Sequence, residues 1–381
     1  MNLHAFMFGL APSVDDSAFI DSATAYQRVG HNTGNLAFHF AIANQLGLTK
    51  RIDWSASPEQ IDAMGETMVI PCANQVGEHQ TMGGMGEKLS KVNAKIVAIG
   101  LGAQSSLGMA MPNVPEGTKR WLQVMAEHAP SSAPNISVRG HFTQRVMEDL
   151  GLGDKSVVLG CPTLFLNPAA DLGKQIESRA NQGNKRICVV SGHYQWSHLS
   201  KLEASLAQMA TESGGSYVMQ SPLEMVALGR GDLASLDEAF LASCRDYCRP
   251  ELTIEEFSDW SLRHAISFFN VPAWMEHMRR FDLVIGARIH GVMLALQAGI
   301  PAICIAHDSR TLELCETMKV PFLQANEISN GIEKKLLDEC IKGFDWGDFD
   351  HNRSKLSSNY TEFLSSNLLE SNYVERPKEG G

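Results

Sequence analysis

Short runs rich in Val and Ile alternate along this chain with segments whose apolar residues recur at helical spacing. The runs "TMVIP" (67–71), "KIVAIG" (95–100), "NISVR" (135–139) and "SVVLG" (156–160) read as buried strands. Between the last two, "HFTQRVMEDLG" puts Phe142, Val146 and Leu150 at i, i+4 and i+8, with Gly151 as the helix stop. Earlier, "NTGNLAFHFAIANQLG" (32–47) sets Leu36, Phe40 and Ala43 on one stripe and ends at Gly47. Strands that are apolar throughout, each followed by a helix, imply a parallel sheet covered on both faces.

The pattern then restarts. The stretch 167–186 is polar and carries Pro, Gly and Asn, as an inter-domain connection does. A second α/β series follows: "RICVVS" (186–191), a helix near 197–212, "SYVMQ" (216–220), "FDLVIG" (281–286) and "PAICIA" (301–306). Residues 223–280 read as mostly helical, 329–367 as two helices, and 370–381 as a frayed tail. A length of 381 residues suits two domains better than one. The expected division is an N-terminal α/β domain over 1–167, a linker over 168–185, a C-terminal α/β domain over 186–328, and C-terminal helices with the tail over 329–381. Two doubly wound, Rossmann-like domains facing a cleft are the simplest architecture.

A formal net charge of −11 argues against a nucleic-acid partner, although local charge still allows an anionic ligand. The eight cysteines form no CxxC pair, and Cys161, Cys188 and Cys304 sit in apolar runs. Reduced thiols in a cytoplasmic protein are expected. The opening "MNLHAFMFGLAPSVDD" has no basic stretch before its apolar part, so no signal peptide is expected. The apolar windows 95–112 and 281–307 are interrupted by Gln104 and Ser105 and by Arg288 and His290, so no transmembrane segment is expected. No metal-ligand cluster is visible.

The stretch "GARIHGVMLALQAGIP" (286–301) sets Arg288 and His290 where a parallel strand gives way to a helix. Ligands of open α/β sheets bind at that carboxyl edge. The helix N-terminus adds free N–H groups, and Gly291 lets an anion approach the backbone. Arg139 ends its own strand in the same way before Gly140. Each arginine could instead be one half of a structural ion pair, and His290 a helix cap. One charge-assisted hydrogen bond nets about 1.5–3 kcal/mol, whereas association costs roughly 4–15 kcal/mol. A single arginine is therefore too little to hold a small multivalent anion, and two with a helix N-terminus suffice. Gln104 and Ser105 in "GLGAQSS", His193 in "SGHYQWSH" and Asn32 and Asn35 in "GHNTGN" are further candidates for contact with a saccharide. Asp308 and Arg310, past another strand, read first as an internal ion pair.

"SVRG", "LGCPTL" and "ARIHGVMLALQAGIPAICI", in that order, resemble the polysaccharide pyruvyl transferase family. "GHNTGN" resembles that family's early glycine-rich loop, and the similarity runs from about residue 30 to about 320. The sequence departs at Asn35, where the family often has an acid, and at Arg310, the nearest match to a common lysine. The resemblance implies a fold like that of GT-B glycosyltransferases. It implies transfer of a pyruvyl group from phosphoenolpyruvate to two hydroxyls of a saccharide, free or lipid-linked, as a ketal with release of phosphate and with no cofactor. Carried over, Arg139 and Arg288 would bind phosphoenolpyruvate, with the Ile289 backbone beside them, and His290 would be the general acid. Planar guanidinium forks suit a carboxylate and a phosphate, and imidazole suits proton delivery to C3 at neutral pH. The alternatives are a glycosyltransferase of the same fold using a nucleotide sugar, and a non-catalytic glycan-binding relative.

Overall fold

In the computed structural model, which describes residues 2, 4–105, 107–183 and 185–372, the chain completes one parallel sheet before starting another. The first sheet contains β1 (Ala5–Phe8), β2 (Arg51–Ile52), β3 (Thr67–Pro71), β4 (Lys95–Leu101), β5 (Ile136–Val138) and β6 (Ser156–Val158), in the order β2-β1-β3-β4-β5-β6. The second contains β7 (Ile187–Val190), β8 (Tyr217–Val218), β9 (Ala265–Ile266), β10 (Leu283–Gly286), β11 (Ala302–Ala306) and β12 (Phe322–Gln324), in the order β12-β11-β10-β7-β8-β9. Helices fill the crossovers, so the architecture is two doubly wound, Rossmann-like units facing each other in the GT-B-like manner. The strand order reverses between β1 and β3 in the first sheet and between β7 and β10 in the second. Those reversals open the crevices in which such sheets take ligands.

Each sheet is dry at its centre. Phe6, Met68, Val69, Ile96, Val97 and Ile136 are fully buried in the first, and Cys188, Val189, Val284, Ile285 and Ile303 in the second. One apolar cluster runs without a break from the first unit into the second, joining Leu36, Phe38 and Ile42 to Val292, Met293 and Leu296. The helix Asn35–Leu46 lies in that joint. Its expected stripe of Leu36, Phe40 and Ala43 is therefore too narrow: Ala37, Phe38, Ala41 and Ile42 are buried as well, while Phe40 is only partly buried.

The polar stretch 168–185 is more than a linker. It holds a helix, Leu172–Ala180, with Leu172, Gly173, Ile176 and Ala180 buried. The last long helix, Trp346–Ser366, packs on it. Arg353 donates to the carbonyls of Asn167 and Ala169, and Asn367 Nδ2 donates to the Pro134 carbonyl at 2.8 Å. The C-terminal helix thus returns the chain to the first unit. Of the expected frayed tail, residues 373–381 lie outside the described residues. No helix among the described residues is long and apolar enough to cross a membrane.

Candidate active site

The carboxyl ends of the two sheets converge on a cavity of about 40 Å³. Asn32, Asn35, Ala73, Asn74 and Arg139 line it from the first unit. Gln220, Ala287, Arg288, Ile289, His290 and Arg310 line it from the second. Two glycines allow close packing here, Gly34 between the units and Gly291 within the second unit. A Cβ on Gly34 would stand 2.5 Å from Gln220 Oε1, and one on Gly291 would stand 2.6 Å from Val190 Cγ1. The backbone ties the units beside the cavity, where Thr33 N donates to the Gln220 carbonyl at 3.1 Å.

Three guanidinium groups share this space. Arg139 follows β5 and is 2% exposed; its Nε donates to the Gly100 carbonyl at 2.8 Å and its Nη2 to the Cys72 carbonyl at 3.3 Å. Arg288 follows β10 and lies over the face of Trp196, 5.0 Å from the ring centre. Its Nε is buried and has no hydrogen-bond partner among the described residues. Arg310 lies in the first turn of the helix Ser309–Met318 and reaches Asp308 at 3.0 Å, as the sequence suggested, but it also lines the cavity. Its Nε likewise has no partner among the described residues.

Burial and mutual repulsion set the electrostatics. Arg288 is held down to about 10, first by burial and then by the Arg310 charge, and Arg139 is lowered by burial in the same way. Asp308 offsets part of this charge and stays ionised: Arg310, His307 and the Thr311 hydrogen bonds outweigh the effect of its burial. The Glu313 carboxylate is spoken for by Thr143, whose N–H and hydroxyl donate to it at 3.0 and 2.6 Å across the unit boundary. The cavity is left electropositive.

His290 sits in the first turn of the helix Ile289–Gln297, whose N-terminus opens on the cavity. Its ring lies 5.2 Å from that of Phe38. Burial, then Arg139 and Arg310, hold its pKa well below the usual imidazole value. The ring is therefore neutral in the free protein at pH 7.

The expected donor residues Arg139, Arg288, Ile289 and His290 thus meet in one cavity, and Asn32 and Asn35 join them. Asn35 Nδ2 is committed to the carbonyls of Val29 and Gly30, each at 3.0 Å, so its free polar atom is Oδ1. Asn32 Oδ1 accepts from Gly34 N at 2.9 Å. Other expectations need correction. Gly291 does not line the cavity; its missing side chain makes room for Val190 at the end of β7. Ser105 is used in joining the units, its N–H donating to Ser309 Oγ at 2.8 Å. Gln104 stands behind the cavity and accepts from Asn74 Nδ2. His193 is half-buried outside it, beside Tyr194 and Trp196, with its pKa lowered to about 4 by burial and the Arg288 charge. Gln220 and Asn74 went unnoticed in the sequence. Each follows a strand, β8 and β3, so the strand-end rule applied to Arg139 would have found them.

Residues 76–309 match the family model described as polysaccharide pyruvyl transferase. No curated protein sequence matches the chain. Among solved structures, the chain is similar to S. aureus MnaA in its co-structure with UDP, at 10% identity over 99% of both chains and a TM-score of 0.46. It is similar to UDP-GlcNAc 2-epimerase from Neisseria meningitidis bound to UDP-GlcNAc, at 12% identity over 95% of this chain and 99% of that one, with a TM-score of 0.44. It is also similar to the wall teichoic acid polymerase TagF, at 10% identity over 97% of this chain and 88% of that one, with a TM-score of 0.41.

Proposed function

The chain belongs to the polysaccharide pyruvyl transferase family, and we propose that it transfers the pyruvyl group of phosphoenolpyruvate to a saccharide as a ketal. The observation that carries this reading is the gathering of Arg139, Arg288 and Arg310 around one small cavity at a helix N-terminus. Three like charges held together are costly unless an anion joins them. Phosphoenolpyruvate brings a carboxylate and a phosphate, and planar forks bind both. The Nε atoms of Arg288 and Arg310, without a partner among the described residues, are donors such a ligand would satisfy.

In this reading His290 delivers the proton to C3 of the enol as a sugar hydroxyl attacks C2. Phosphate then leaves and a second hydroxyl closes the ketal. Asn32, Asn35 and Gln220 stand nearest to meet the acceptor hydroxyls. The region 1–167 forms the acceptor side and 186–328 the donor side, with a free or lipid-linked glycan as acceptor. Eight free thiols among the described residues support a cytoplasmic setting.

The test is incubation of the full chain with phosphoenolpyruvate and a panel of glycans, reading phosphate release and product mass. Phosphoenolpyruvate should also raise the melting temperature, and a nucleotide sugar should raise it less. Selective stabilisation by the nucleotide sugar, or no ketal on any glycan, would overturn the reading.

A further inference from the structure

His290 has a neighbour that the reading above leaves unused. Cys161 follows β6 in the first unit, is 1% exposed, and points its Sγ at His290 Nε2 from 3.7 Å. The fully buried Thr163 hydroxyl donates to the same sulfur at 3.1 Å. The Arg139 charge lies within electrostatic reach of the thiol. The sulfur thus links the first unit to the histidine of the second.

Resting on the proposed proton transfer by His290, we propose that Cys161 is a positioning residue: its thiol holds His290 as the Nδ1–H tautomer and replaces the proton that His290 gives up. His290 is faced by Arg139, Arg310, His39 and Cys161. The two cations and the burial oppose a standing imidazolium, so the ring waits in its neutral form. A neutral imidazole can release its Nδ1 proton only if Nε2 gains one in the same event. The thiol is the group placed to supply it. The nitrogen that it leaves free is Nδ1.

The step balances. The Nδ1 proton moves to C3 of phosphoenolpyruvate, and the Sγ proton moves to Nε2. The electron pair of the C2–C3 double bond forms the new C3–H bond, and the saccharide oxygen bonds to C2. A thiolate remains, stabilised by the Thr163 hydroxyl and the nearby Arg139 charge. The proton lost by the attacking hydroxyl returns to the thiolate through solvent. Imidazole relaxes to its first tautomer once the thiol is restored.

Two measurements on the full chain test this. Isotope-labelled histidine reports the His290 tautomer in the free protein, with the signal assigned by its loss in His290→Gln. We expect Nδ1–H in the wild type and a shift toward Nε2–H in Cys161→Ala. An Nε2–H tautomer in the wild type would overturn the proposal. The second is phosphate release from phosphoenolpyruvate with a glycan that the wild type uses. Cys161→Ala should keep thermal stabilisation by phosphoenolpyruvate, lose about tenfold or more in kcat near pH 8, and recover rate as pH falls and His290 protonates directly. Cys161→Ser keeps the volume and guards against misfolding; it should show the same trend more weakly. A folded variant with the wild-type rate and pH profile would overturn the relay. A wild type that releases no phosphate would sink the donor reading instead, while the tautomer still decides the thiol's role.

Discussion

Arg139 and Arg288 occupy matching places, each just past a strand of its own sheet, yet they are held differently. Arg139 spends two of its N–H groups on carbonyls of its own unit, those of Gly100 and Cys72. Arg288 rests on the flat face of Trp196 and keeps a buried Nε without a partner among the described residues. A guanidinium bonded to strand-end carbonyls is part of the scaffold as well as the site. One stacked on an aromatic ring keeps its fork in hand for a ligand. Matching sequence positions therefore need not mean matching duties. The first unit offers a fixed charge and the second an adjustable one.

His290, between the two, carries the largest expected effect. His290→Gln should lose about 10²–10⁴-fold in kcat while phosphoenolpyruvate still stabilises the protein. Melting curves and kcat on the same preparation check this. A folded variant with near-wild-type kcat would remove His290 from the chemistry and leave the two arginines as a binding clamp alone.

Substituting the arginines in turn attacks the comparison itself. Arg288→Lys should raise the donor KM about tenfold to a hundredfold, matching the loss of one charge-assisted bond, and leave melting temperature nearly unchanged. Arg139→Lys should raise KM too, but it should also lower melting temperature, because the Gly100 and Cys72 carbonyls lose their donors. Equal melting temperatures for the two variants would show that the scaffold role of Arg139 is negligible.

The sequence made this site partly legible. Seven expected strands coincide with β3–β7, β10 and β11, since each is a buried apolar run next to a helix. The strand "SYVMQ" is present but pairs only over Tyr217–Val218. The strands β2, β9 and β12 escaped because they are short and lie at or next to sheet edges, where partial burial leaves no apolar run. The opening strand β1 is fully buried, but "AFMF" has neither alternation nor β-branching to mark it. Arg139, Arg288 and His290 were found because charge stands out at a strand end. Gln220 and Asn74 carry no charge and escaped. Arg310 was read as paired with Asp308, which is true and incomplete, since one carboxylate does not use up a guanidinium. The part Ser105 plays in joining the units escaped because its partner, Ser309, lies 204 residues away in the other unit. Contacts between units leave no periodic trace.

Gly291 separates packing from ligand approach. Gly291→Ala puts a methyl 2.6 Å from Val190 Cγ1, against β7, and should cost about 1–3 kcal/mol of stability. The donor KM of the folded fraction should change little. A variant of full stability and raised KM would restore the anion-approach role expected from the sequence and extend the adjustable side of the site beyond Arg288.

The smallest effect concerns pH and again compares the units. Burial holds His39 in the first unit and His307 in the second down to about 4. Both are neutral when folded, yet each ordinarily titrates near 6.5 once unfolded. Between those values the unfolded chain binds protons that the folded chain refuses, so stability falls as pH drops through that window. Buried Glu203 and Glu313, with pKa raised by burial, act in the opposite sense and flatten the fall. His193 and His277, also lowered to about 4, add to it, each by less because both are only half-buried. Melting temperature should therefore decline from about pH 6.5 toward 4. His39→Gln and His307→Gln should each make that decline shallower, by similar amounts, since the two rings are lowered alike. If only one of them does, the unit carrying the other admits water or a proton to its histidine, and the two halves of the site differ in tightness as well as in how they hold their arginines.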